Sequence, residues 1–156
     1  GYYLALDSKW NHFSTVRDES RNYQAMNGLK MYNIWRIPGP KKWCISIWKI
    51  PNNAIPTGEE FRGRQIGSDH CCNLCKESNS MESLEHLFRD CPLASRIWAG
   101  SQLGINTNNG QGLPLSTWVV NWLNLLTKQQ DNNKAVITFL ATLWSIWCTR
   151  NDCLFK

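Results

Sequence analysis

The strongest apolar rhythm lies near the end of the chain. Val136, Phe139, Leu140, Leu143, Ile146 and Trp147 recur at i, i+3, i+4 and i+7, the spacing of one helical face. A second stripe, Leu115, Val119, Trp122, Leu123 and Leu126, predicts a helix over 115–127, and the polar run 129–133 predicts a turn between the two. Upstream, Trp43, Ile47 and Ile50 share a face over 41–50, with Cys44 and Trp48 beside them. Pro38-Gly39-Pro40 breaks the chain ahead of that helix and Pro51 closes it, because proline fixes φ and removes a donor. Ile55-Pro56-Thr57 reads as a turn. Its Thr57 caps a helix over 58–64 that stops before Gly67, and Glu60, three residues on, completes a capping box. Residues 1–33 are mixed. Trp10, Phe13 and Val16 suit one face of a short helix or an extended segment, and Tyr23, Met26 and Leu29 carry a weak helical period. The Gly- and Asn-rich stretch 100–114 is a loop or linker and the best internal boundary. Alternating strand patterns are scarce, so the fold class is mostly α.

Composition narrows this further. At 156 residues the chain is long enough to bury a real core. With 42% hydrophobic and 19% charged residues it is globular rather than disordered or low-complexity. No stretch approaches the roughly 18 consecutive apolar residues of a membrane span, and the N-terminus lacks the basic region of a signal peptide. The chain starts at Gly1 rather than Met, as a fragment or processed form would. Seven cysteines cannot all pair with one another. The apolar neighbours of Cys44, Cys148 and Cys153 suggest buried thiols and an intracellular, reducing compartment: nucleus or cytoplasm, or an organelle for a domesticated copy.

The other four cysteines cluster. Asp69-His70-Cys71-Cys72-Asn73-Leu74-Cys75 is followed by Glu85-His86-Leu87-Phe88-Arg89-Asp90-Cys91-Pro92, giving C-x2-C-x10-H-x4-C through Cys72, Cys75, His86 and Cys91. Thiolate and imidazole suit tetrahedral zinc, and two ligand pairs on two short elements can close around it. Cys71 offers an alternative to Cys72, and His70 competes with either; Cys72 alone makes the x2 spacing with Cys75. His86 suits a helix starting near Met81. On a continuous helix Cys91 would lie about 140° away from His86, so the helix should end near Asp90. Pro92 supports that break by moving Cys91 out of the α region, and it opens a following helix that turns Ile97 and Trp98 inward. Four protein ligands leave no open position for water, so the one Zn2+ is structural and part of folding. Asp69 and Asp90, flanking the ligands, are either acceptors for them or solvated.

The order of these pieces resembles the zinc-binding domain of plant non-LTR (LINE-type) reverse transcriptase-like and ribonuclease H-like proteins. Carrying the resemblance are Ile34-Trp35 with Pro38, Pro40 and Lys41; Ile47-Trp48-Lys49; Pro56-Thr57 with Phe61 and Arg64; the zinc motif with Glu85-His86-Leu87-Phe88, Cys91-Pro92 and Ile97-Trp98; and Trp144-x2-Trp147-x2-Arg150-Asn151 with Phe155. It covers about residues 13–156. It implies a module that lies after a polymerase domain and often before a ribonuclease H-like one. The chain departs from the family pattern in lacking polymerase and ribonuclease H catalytic motifs, in the neighbourhood of Gly39 and Ile45, and in the stretch Lys76 to Ser83, which lacks the usual glycine after the second cysteine. The family's enzymatic activities therefore do not carry over to it. The organisation that follows is a zinc-binding domain over 1–99 with its site at 72–91, the loop 100–114, and a two-helix C-terminal segment over 115–156 packing on the first part.

Charge adds a candidate partner. The net charge is +5, and residues 20–67 hold eight basic residues against Glu59 and Glu60 alone. Interleaved with Trp35, Trp43 and Trp48, this stretch suits phosphate contact and base stacking, with Lys41, Lys42, Lys49, Arg62 and Arg64 as the candidate RNA or DNA contacts. The plainer reading is a solvated face with the tryptophans in the core. The rival function is a structural subunit of a ribonucleoprotein assembly, with Trp118, Trp122, Trp144 and Trp147 offering a surface to another protein. An enzyme is disfavoured: there is no phosphate-binding glycine loop or nucleophile elbow, and His12 and His70 have no evident acid–base partner.

Overall fold

The computed structural model describes residues 39–50, 54–67, 70–76, 80–128 and 132–155. The expectations for residues 1–33, and those for Trp35, Pro51 and Asp69, lie outside them. Five α-helices are described: α1 (Lys41–Lys49), α2 (Gly58–Gly63), α3 (Pro92–Gly100), α4 (Leu115–Thr127) and α5 (Asn132–Phe155). A π-helical turn, His86–Asp90, leads into α3, and a 3-10 turn, Thr107–Gly110, precedes α4. Strand-type pairing among the described residues is limited to one antiparallel bridge between Cys71 and Met81. The protein is mostly helical.

The long helix α5 is the axis of the core. Val136, Phe139, Leu140, Leu143 and Ile146 are all buried along one stripe, and each such side chain removed from water contributes about 1.5–3 kcal/mol. Against it pack α1, α3, α4 and the π-helical turn. From α1 come Cys44, Ile47 and, just past its end, Ile50. Where α3, α4 and α5 meet, Trp98, Trp118 and Phe139 form an aromatic cluster: the two indoles meet edge-on with centroids 5.4 Å apart, and Phe139 lies 5.0 and 5.8 Å from them. These separations suit aromatic pairs. Trp118 is therefore core and not part of a surface for a partner. Gly110 makes room for it, since a Cβ there would collide with the indole.

Other expectations are adjusted. Asn132 and Asn133, expected in a polar turn over 129–133, belong to α5, and residues 129–131 lie outside the described residues. The Gly/Asn-rich stretch is packed rather than slack: Ile105, Thr107 and Gly110 are buried, and the Thr107 hydroxyl lies 2.9 Å from that of Ser95 on α3. Only Cys44 of the three non-cluster cysteines is buried; Cys148 is half-buried and Cys153 exposed, because α5 turns its final residues away from the apolar stripe. The capping box is half made. Thr57 Oγ1 accepts from the Glu60 amide at 3.3 Å, while the Glu60 carboxylate turns to Arg64 at 2.9 Å.

The polar centre of the fold is an ion pair with both partners about 98% buried, Glu82 and Arg150. Arg150 takes the position on α5 where the apolar stripe would continue after Ile146. Its Nη2 donates to Glu82 Oε1 at 2.6 Å and to the Pro56 carbonyl at 2.6 Å, and its Nε reaches Glu82 Oε2 at 3.1 Å. Glu82 Oε1 also accepts from the Gly58 amide at 3.0 Å, and its backbone carbonyl accepts from Glu59 at 2.9 Å. The approach of α2 to this loop requires glycine at 58, where a Cβ would collide with the His70 carbonyl. Removing one partner strands a buried charge. Arg150→Met should lower unfolding stability by about 3–5 kcal/mol, and Glu82→Gln with Arg150→Met should cost less than the two single changes added together; denaturant unfolding of the set reads both.

Candidate metal centre

The four predicted ligands are contributed by two short pieces of chain, each shaped by its neighbours. The first is the turn 72–75. Cys72 is fixed from both sides: its amide donates to the Ser80 carbonyl at 2.9 Å, and its carbonyl accepts from Lys76 at 3.1 Å. Lys76 closes the turn with φ +55°, a left-handed conformation that glycine adopts without a Cβ penalty. Lys76 opens the stretch 76–83 in which the family's glycine is absent, and this lysine takes a conformation that glycine favours. Cys71 is not in the four-residue cluster, and its backbone is bridged to Met81.

The second piece begins at Ser83, whose Oγ accepts from the His86 amide at 3.0 Å, a helix-capping contact. The helix thus opens after Ser83, not near Met81, because Met81 is held in the bridge. It widens into the π-helical turn, closed by the Cys91 amide on the His86 carbonyl at 2.7 Å. Such turns are rare and often mark functional sites. Cys91 leaves with φ −55° and ψ 134°, and Pro92 opens α3. The helix ends at Asp90, as the His86–Cys91 spacing predicts. The indole of Trp98 donates to the Phe88 carbonyl at 2.7 Å, satisfying a group of the widened turn. Glu85 accepts from Leu115 at the start of α4, and Arg89 Nη1 donates to the Leu113 carbonyl at 2.7 Å. The residues flanking His86 therefore tie the ligand turn to the next layer.

One ligand atom from each of Cys72, Cys75, His86 and Cys91 lies within 4.8 Å of every other. Cys72 Sγ is 3.9 Å from Cys91 Sγ, and Cys75 Sγ is 3.5 Å from His86 Nε2. A tetrahedral zinc with Zn–S near 2.3 Å and Zn–N near 2.0 Å has S···S edges of about 3.8 Å and S···N edges of about 3.5 Å. The donor chemistry and these edges fit that ion. Cys72 and Cys91 are buried while Cys75 and His86 are half-buried, so one side of the set faces solvent. His70 is directed elsewhere, its Nε2 2.7 Å from the Ile66 carbonyl. Asp90 pairs with the buried Arg89, 2.7 Å away, and is not an acceptor for a ligand.

Without metal the cluster holds protons. The Cys72 hydrogen bond draws the Cys91 thiol down to about 3, and the same contact, with burial, pushes the Cys72 thiol up. One thiolate thus serves the pair. Hydrogen bonding to Cys91 raises the His86 imidazole to about 9 against the opposing effect of burial, with Cys75 adding to the rise. A metal must displace these protons to gain its ligands.

The predicted nucleic-acid residues fall on two elements. Lys41, Lys42 and Lys49 lie on α1, which carries no acidic residue. Lys42 is exposed, with its Nζ 5.1 Å from the Trp144 ring centroid. Arg62 and Arg64 are exposed at α2, but Glu59 and Glu60 share that helix and Arg64 is paired with Glu60. Glu82 and Arg150 escaped the sequence reading as site-shaping residues. The signal available was the Arg150-Asn151 end of the family motif.

The family model for the zinc-binding domain in reverse transcriptase matches residues 6–98. An Arabidopsis thaliana protein that carries ribonuclease H in its name is 32% identical over 65 residues, which is 42% of this chain and 10% of that relative. No solved structure matches. Among the described residues no helix is long and apolar enough to cross a membrane.

Two measurements test the centre. Cys71→Ser should leave zinc content intact and Cys72→Ser should abolish it, read by metal analysis of the purified chain; equal loss from both would reject Cys72 as the ligand. Zinc affinity should rise as pH is raised from about 6.5 to 9, because His86 retains its proton in the metal-free cluster until about 9; chelator competition across that range checks the sign.

Proposed function

From the premise that the chain belongs to the family of zinc-binding domains in reverse transcriptase, we propose that it is a non-catalytic, zinc-stapled module that contacts nucleic acid, RNA in the first instance, within a retrotransposon-derived protein. Cys72, Cys75, His86 and Cys91 would hold the ion. A bound zinc would supply cross-linking of the 72–75 turn to the π-helical turn, and a fully protein-ligated ion offers no position for substrate. The chain's own residues do the rest: Cys72 and Cys91 form the buried side of the set, and Ser83 and Pro92 fix where the ligand helix begins and ends.

The observation that carries the nucleic-acid reading is α1. It presents three lysines and no acid while Cys44 and Ile47 anchor its other side in the core. A cationic helix face of this kind binds phosphates by releasing counterions, which makes the affinity salt-dependent. The acids of α2 place Arg62 and Arg64 second to the lysines.

The test is binding of a single-stranded RNA to the zinc-loaded chain over a salt series. Affinity should fall linearly on a log–log plot, with a slope of about −0.7 per phosphate neutralised. Changing Lys41, Lys42, Arg62 and Arg64 together to Ala should weaken binding and flatten the slope. Unmoved affinity would reject the cationic face and leave the protein-interaction role as the better account.

A further inference from the structure

Between α1 and α5 lies a cavity of about 230 Å³. Its wall on α5 is formed by Trp144 and Trp147, one turn apart, and its rim on α1 by Lys42 and Lys49, two turns apart. Ile55 and Phe88, both buried, lie beneath. The chemistry of this hollow is unusual for a core defect. Flat aromatic rings line it, and two cations stand at one side with no acidic residue among its lining. Lys42 Nζ already lies over the Trp144 ring, and the Arg150 guanidinium lies 5.1 Å from the Trp147 ring centroid. The guanidinium is fixed by Glu82 and Pro56, so Trp147 is backed by a group that does not move away. Over the face of Trp144, among the described residues, lies the exposed Lys42.

We infer that this cavity is the seat of one unstacked base of a single-stranded RNA, the base stacking on Trp144 in place of Lys42 while Lys42 and Lys49 take the flanking phosphates. The inference rests on the nucleic-acid reading above and gives it a specific place. Three features select this occupant. The cavity is smaller than the about 300–1,000 Å³ of sites for drug-sized ligands, so it suits a single flat ring. The ring offers a π face, which every base can stack upon. The cations at the rim match the charge that accompanies a base in a strand. A duplex cannot use the cavity, because its bases are stacked and paired.

The experiment uses the zinc-loaded full chain, a 12-nucleotide oligouridylate and a 12-base-pair RNA duplex. Trp144→Leu should weaken oligouridylate binding by about 5- to 150-fold, the loss of one base–aromatic stack, and leave duplex binding unchanged. Trp144→Phe should recover most of the affinity. Lys42→Gln with Lys49→Gln should reduce the salt slope for the oligonucleotide by about 1.4. In case Trp144→Leu fails to fold, the indole N–H resonances of the unaltered protein give a second reading: Trp144 and Trp147 should shift on oligouridylate addition. Wild-type protein that binds oligouridylate with no dependence on Trp144 and no indole shift overturns the cavity and leaves the cationic face standing. Wild-type protein that binds neither RNA at low salt overturns both.

Discussion

The buried pair of Glu82 and Arg150 is the constraint on which the other parts converge. Taking two charges out of water costs several kcal/mol per ion, and their attraction repays it only when geometry and hydrogen bonding are complete. Here they are nearly so. The guanidinium meets both carboxylate oxygens and the Pro56 carbonyl, and the carboxylate also takes the Gly58 amide. Through this one set of hydrogen bonds the pair joins α5 to the start of α2 and to the loop at Glu82. It fixes the end of α5, the start of α2 and the loop that carries Cys72 and Cys75. Ser83, the next residue after Glu82, caps the helix that presents His86. Both halves of the metal centre are therefore positioned from the same buried carboxylate.

This explains why the folded unit is larger than the family match. Residues 6–98 contain all four candidate ligands. Yet the pocket for Trp98, a fully buried residue at the edge of that match, is built from Trp118 on α4 and Phe139 on α5. Glu82 likewise needs Arg150. A metal ion could close the two ligand turns, but Leu74 and Leu84 beside them are only half-buried, a small local core. The C-terminal helices supply the apolar area that the ligand turns lack.

The legible parts of the sequence were those set by local rules. The stripes on α4 and α5 report burial directly, Thr57 reports its own cap, and Pro92 reports both the end of the ligand helix and the start of α3. The ligand spacing was readable because metal coordination demands particular residue types at short separations. What escaped was set by long-range partners. Nothing local to Met81 says that it pairs with Cys71, so the helix was expected to begin too early. Nothing local to Trp118 says that Gly110 leaves room for it, so it could pass for a surface residue. Arg150 sits in an apolar stripe, which reads as a defect until Glu82, 68 residues away, is brought to it.

The metal's part in the proposed function follows from position rather than charge. Three thiolates, one neutral imidazole and a dication sum to about −1, a sign that repels phosphate, so zinc would not attract nucleic acid directly. Its influence runs through Phe88. That residue lies inside the π-helical turn between His86 and Cys91, its carbonyl is held by Trp98, and it lines the cavity between α1 and α5. A bound ion would tie the turn at both ends and so would hold Phe88 beside Trp144 and Trp147. Those tryptophans are in turn carried by the helix whose end Glu82 anchors. Ligand set, buried ion pair and aromatic cavity thus adjoin one another along the fold, and in the proposed function a bound ion would support the lysine-rimmed cavity from the side of Phe88.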